Sequence, residues 1–122
     1  MRIGFVILAT VALVLGSATS FASSCDDAYS AAEEASSYAR KGYRAGDLDD
    51  IQYYAKKAMN SAGEAMSYAD ECGCDDAYSS ADDAYTQARR AYNEDDYDYA
   101  ESYIRRAMGA AEDAMSAAGD CM

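Results

Sequence analysis

Alanines recur at four-three-four spacing along most of the chain. Ala28, Ala32, Ala35 and Ala39 form one stripe; Ile51, Ala55, Ala58, Ala62, Ala65 and Ala69 form another. Steps that alternate between three and four return to one face of a 3.6-residue helix, so these are heptad stripes with polar residues between them. The stripes break at Gly46-Asp47-Leu48-Asp49-Asp50. Gly46 suits the close of one helix and Asp47 the start of the next, where the following acids face the positive end of the helix dipole. The pattern predicts two helices of roughly 18–22 residues in an antiparallel hairpin.

The pattern is then repeated. Residues 25–73 align with 74–122 without a gap, and Cys25-Asp26-Asp27-Ala28-Tyr29-Ser30 returns as Cys74-Asp75-Asp76-Ala77-Tyr78-Ser79. Ala32/Ala81, Ala39/Ala88, Tyr43/Tyr92, Met59/Met108 and Cys72/Cys121 are further matched pairs. Asn93-Glu94-Asp95-Asp96 replaces the first turn, with Asn93 suited to a left-handed cap. There is no proline to break the helices. The expected fold is therefore all-α: two tandem antiparallel hairpins forming a four-helix bundle. The small Ala stripes would face each other within each hairpin. A bulkier face would join the hairpins, with Tyr29, Tyr43, Met59 and Met66 in one unit and Tyr78, Tyr85, Tyr92, Met108 and Met115 in the other.

The N-terminus follows another rule. Arg2 precedes an apolar run from Phe5 to Leu15, and Ser20-Phe21-Ala22 is a small-x-small cleavage site. This is the layout of a secretory signal peptide cleaved after Ala22. The run is short for a retained membrane anchor. Ala22-Ser23-Ser24 before Cys25 matches a lipoprotein signal poorly. The expected organisation is a signal peptide at 1–22, one hairpin repeat at 23–73 and a second at 74–122, in one compact domain that is secreted or periplasmic.

Composition then raises a problem of stability. Every Phe and Val lies in the leader, and the rest has one Leu (Leu48), two Ile (Ile51, Ile104) and no Trp. Burying Ala removes little area from water, so such a core is weak for its size. Small exported domains meet this with covalent links, and four cysteines are present. The duplication favours Cys25–Cys72 and Cys74–Cys121, each clamping the open end of a hairpin. Pairing Cys25 with Cys74 and Cys72 with Cys121 would link the hairpins instead and is also geometrically open; a Cys72–Cys74 ring would be strained. Both members of Cys72-Gly73-Cys74 have repeat-matched partners, so a structural role is favoured over a redox or soft-metal motif.

The entry to the second helix of each unit resembles a tetratricopeptide repeat. Gly46-Asp47-Leu48-Asp49-Asp50 through Tyr53-Tyr54 to Lys57-Ala58-Met59 is similar to that family's GDYDEAIEYYQKAL stretch, and Asp96-Tyr97-Asp98 through Arg106-Ala107-Met108 matches more loosely. The resemblance implies helical hairpins and a protein-binding role. The unit departs from the family in its 49-residue length and its missing proline.

Charge narrows the partners. The whole chain carries 22 acidic and 10 basic residues, a net charge of −12. Without Arg2 the remainder stands at −13. Nucleic acids and anionic membranes both demand Lys and Arg, so neither is an expected partner. When each hairpin is folded with residue numbers summing to about 97 across the first pair of helices, the cysteine end collects 14 of the 22 acids. Further along, Arg40, Lys41, Lys56, Lys57, Arg89, Arg90, Arg105 and Arg106 form a basic band, the candidate surface for an acidic partner or for the acid end of a second copy. The bland alternative is a solvated face with local pairs such as Glu101–Arg105.

Two sets of side chains offer metal ligands. Asp82, Asp83, Glu112 and Asp113 offer carboxylates from facing helices for Ca²⁺ or Mg²⁺, though no EF-hand pattern is present. Met59/Met66 and Met108/Met115 offer thioethers for Cu(I), but members of a pair lie about 10.5 Å apart along a helix, too far to share an ion. No His is available as a base, no Ser sits in a nucleophile motif and no Gly-rich phosphate loop occurs. The expectation is a non-enzymatic interaction or structural module of the envelope or extracellular space, without a cofactor; carboxylate- or Met-based metal buffering is the alternative.

Overall fold

The structure is a computed structural model that describes residues 24–122. The predicted leader at 1–22 lies outside the described residues. Four helices follow: α1 at 24–43, α2 at Leu48–Glu71, α3 at Asp75–Asn93 and α4 at Tyr97–Asp120. The helices α2 and α4 have 24 residues each, longer than the pattern predicts, because nothing breaks them before the cysteines.

The predicted N-cap at Asp47 forms, and its repeat counterpart Asp96 caps α4 in the same way. The Asp47 carboxylate accepts from the Asp50 N–H at 2.8 Å, and Asp96 accepts from the N–H groups of Asp98 and Tyr99. The predicted C-caps do not form. Among the described residues Gly73 alone has a positive φ, 72°. Gly46 therefore closes nothing in the left-handed region. Asn93 belongs to α3, which ends at an extended Glu94. The left-handed turn falls at the junction between the units, where it reverses the chain between Cys72 and Cys74. There the Cys74 N–H donates to the Ala69 carbonyl at 2.9 Å.

Cys25 bonds Cys72 and Cys74 bonds Cys121, with Cα–Cα distances of 5.3 and 6.1 Å. Each bridge closes one hairpin, α1–α2 or α3–α4. Gly73 brings the two bridges to the same end of the bundle, where Cys25 and Cys74 share a core cluster with Ala28, Ala69, Ala77 and Ala118.

The core is made almost wholly of alanine. Ala32, Ala35, Ala62, Ala65, Ala81, Ala84, Ala111 and Ala114 surround a narrow axial gap, two from each helix. Thus Ala stripes join the hairpins to each other as well as closing each hairpin, and the bulky face predicted for that junction is displaced to the flanks. Tyr43, Tyr78 and Tyr92 are exposed. Two rings do cross the seams, each against a glycine: Tyr29 on Gly119 and Tyr85 on Gly63. The largest fully buried side chains are Ile51 and Ile104, both in the cluster toward the hairpin turns.

At the turn end the two hairpins are tied by hydrogen bonds. The Gln52 side-chain amide donates to the Glu94 carbonyl at 2.8 Å. The Tyr97 hydroxyl lies 3.2 Å from both the Ala45 carbonyl oxygen and Glu101 Oε2, to which it donates. Loss of water, the bond to Glu101 and the negative charges of Glu101, Asp98 and Asp47 together raise the phenol above its ordinary value.

Candidate binding surface

All four helices contribute two neighbouring cations to one level of the bundle: Arg40 and Lys41 from α1, Lys56 and Lys57 from α2, Arg89 and Arg90 from α3, Arg105 and Arg106 from α4. The antiparallel pairing places each pair opposite its partner pair, as the numbering rule requires. All are exposed except Lys57, which is half-buried. The predicted band is therefore assembled as a girdle.

Aromatic rings hold most of it. Lys41 and Lys57 come from opposite helices and lie 5.5 and 5.7 Å from the centre of the Tyr38 ring; Lys57 is also 5.1 Å from Tyr53. In the second hairpin Arg90 and Arg106 converge on Tyr103 at 6.0 and 5.8 Å, and Arg89 lies 5.9 Å from Tyr85. A ring face attracts a cation without neutralising its charge. One ion pair occurs among the described residues, Arg40 to Glu112 at 3.2 Å. The anticipated Glu101–Arg105 pair does not form, because Glu101 is engaged by Tyr97. The ring contacts are legible only in part: heptad spacing marks the tyrosines as packing residues, yet Tyr38 and Tyr103 stand at helical spacing from Lys41 and Arg106.

The acidic end is a different arrangement. Asp82, Asp83, Glu112 and Asp113 are exposed on α3 and α4. The structure does not gather them: no group of three or more His, Cys, Asp or Glu placed to hold a metal ion occurs among the described residues. Register explains why. Glu112 turns toward α1 and Arg40, while Asp83 accepts from Gln87 on its own helix. The methionines divide likewise, Met59 and Met108 packing against one core cluster and Met66 and Met115 against another.

Acids also sit where the helix dipoles oppose them. The last turns of α2 and α4 contain no basic residue, and Asp70, Glu71 and Asp120 occupy those ends. The disulfides clamp this self-repelling end.

Fold and surface together define a small all-α domain, a four-helix bundle of two disulfide-clamped hairpins. No helix among the described residues is long and apolar enough to cross a membrane. Comparison with protein families, with curated proteins and with solved structures returns no match. Of what the tetratricopeptide resemblance implies, the structure shows the helical hairpins. Gly42 on α1 meets Ile104 on α4 closely enough that an added Cβ would lie 3.1 Å from Cγ1. The first and last helices thereby close a ring, whereas a repeat array stacks its hairpins in an open series.

Proposed function

We propose that this protein is an exported, non-enzymatic binding module whose basic girdle docks carboxylate groups of another envelope or extracellular protein. The observation that carries this reading is the pairing of cations with rings in place of acids. Only Arg40 of the eight has a carboxylate partner among the described residues, so the charge of the girdle stays available at the surface. Rings also hold the long side chains in place, which lowers the entropy lost when a partner binds. The four cysteines in two structural bridges support an oxidising compartment outside the cytosol.

The test is capture of partners from an envelope extract by the oxidised protein and by an Arg105→Glu/Arg106→Glu variant, each at low and high salt. The reading requires that capture by the wild type fall with salt and that the variant lose the same proteins. Capture indifferent to both would overturn it.

A further inference from the structure

The duplication gives the molecule an internal control, because the seam between α2 and α3 is the counterpart of the seam between α4 and α1. On the α2/α3 seam Tyr85 fills the space over Gly63, its ring carbons 3.8 Å from where a Cβ on that glycine would stand. Arg89 lies over the same ring. Forty-nine positions away, Ser36 stands for Tyr85, Glu112 for Gly63 and Arg40 for Arg89. The ring is missing there, and the seam is open. A groove of about 820 Å³ borders it, with Ser36 and Arg40 of α1 facing Glu112 and Met115 of α4, and extends over the outer face of α1 past Glu33, Glu34 and Tyr38. Tyr29, packed on Gly119, sits nearer the cysteine end of this seam and does not fill the gap.

We infer that this groove seats a phenolic side chain presented by a partner protein, in the place that Tyr85 holds in the other seam. The inference rests on the protein-binding reading above and names the residue type the partner supplies. Its chemistry is that of the filled seam with the ring removed and a carboxylate, Glu112, added where Gly63 has no side chain. Arg40 offers a guanidinium at the position from which Arg89 faces a ring. The Met115 thioether offers a soft apolar wall, and sulfur–aromatic contacts are favourable. Glu112, already drawn to Arg40, leaves carboxylate lone pairs to accept a phenol O–H. Ser36 is 3% exposed and supplies a floor without bulk. A volume near 820 Å³ exceeds one ring and accommodates the residues flanking it. The occupant is foreign and not a second copy, because the groove's own carboxylates, Glu33, Glu34 and Glu112, oppose the acid-flanked exposed phenols that a second copy presents, such as Tyr78 and Tyr99.

The test uses p-cresol, the tyrosine side chain as a free molecule, with the oxidised protein followed by NMR of its methionine methyl groups. The expected result is a saturable shift of the Met115 methyl at millimolar p-cresol, with Met66, its counterpart beside the filled seam, unmoved. Ser36→Tyr should abolish the shift by filling the groove. Should that variant lose its helicity, Ser36→Tyr with Glu112→Gly copies the other seam in full and serves the same purpose. No Met115 shift, or equal shifts at Met66 and Met115, would overturn the inference. Concentration-dependent dimerisation that disappears on filling the groove would overturn the foreign occupant in favour of a second copy. A Met115 shift combined with salt-indifferent capture would sink the girdle reading and leave the groove standing; the converse pair of results would do the reverse.

Discussion

At the scale of single residues, the two turn glycines behave oppositely to what their positions imply. Gly46 lies in the hairpin turn, yet its φ is not positive and a Cβ there would meet nothing within 4 Å. Gly73 lies between two cysteines and holds φ at 72°. An L-residue in that region is strained by about 1–2 kcal/mol. Gly73→Ala should therefore lower the stability of the oxidised protein by roughly that amount, while Gly46→Ala should be neutral or raise it by up to about 1 kcal/mol through loss of unfolded-state freedom. Urea melts of the two variants at one pH check this. Equal effects would mean that the chain reversal does not depend on the left-handed glycine.

At the scale of elements, the duplication is broken where bulk must be housed. The counterpart of Ile51 is Ala100, and the counterpart of Ile104 is Ala55. Each hairpin contributes one large side chain to the shared cluster, offset by a turn, so the two do not compete for one space. Ile104 needs a further concession, which Gly42 makes. A Cβ at residue 42 would lie 3.1 Å from Ile104 Cγ1 and 3.2 Å from Tyr54 Cβ, atoms held close to their own backbones. Gly42→Ala should destabilise the bundle, since overpacking of about 1–3 kcal/mol exceeds a helix-propensity gain of about 1 kcal/mol. Gly109→Ala faces open space and should stabilise by roughly 0.5–1 kcal/mol. Opposite shifts in melting temperature are the expected readout. The helices, the Asp47 cap and the disulfide partners were legible because each depends on local spacing or on the repeat. The face joining the hairpins was not. Ala stripes serve two neighbours at once in a four-helix ring, and a helical period alone does not say how many neighbours a stripe has. The groove between α1 and α4 was equally hidden: Ser36 against Tyr85 is a small mismatch in an alignment, and it gains meaning only when both seams are seen.

At the scale of the whole molecule, stability and surface charge are one problem. The core offers two isoleucines and many alanines, which remove little area from water. The cysteine end carries acids at the C-termini of α2 and α4, against the dipoles, with no basic residue in either last turn. Two bridges spanning 47 residues each hold that end shut. The chain-entropy description assigns about 4 kcal/mol to a loop of this length, a large share of the ~5–15 kcal/mol by which domains are stable. Reduction and alkylation should therefore lower the melting temperature steeply and cost much of the helicity at 37 °C. The turn end has the Gln52–Glu94 hydrogen bond between the hairpins, the Tyr97 hydroxyl against the Ala45 carbonyl and both isoleucines, so residual structure should persist there and fraying should begin at the cysteine end. Raising the salt should restore part of the loss in the reduced chain, because screening relieves the like-charge repulsion that the bridges otherwise oppose. Amide exchange on the reduced protein distinguishes the two ends: protection must survive around Ile51 and Ile104 and vanish first near Ala28, Ala69 and Ala118. Uniform protection, or a melting temperature unchanged by reduction, would mean that the alanine core suffices alone and that the bridges serve some other purpose.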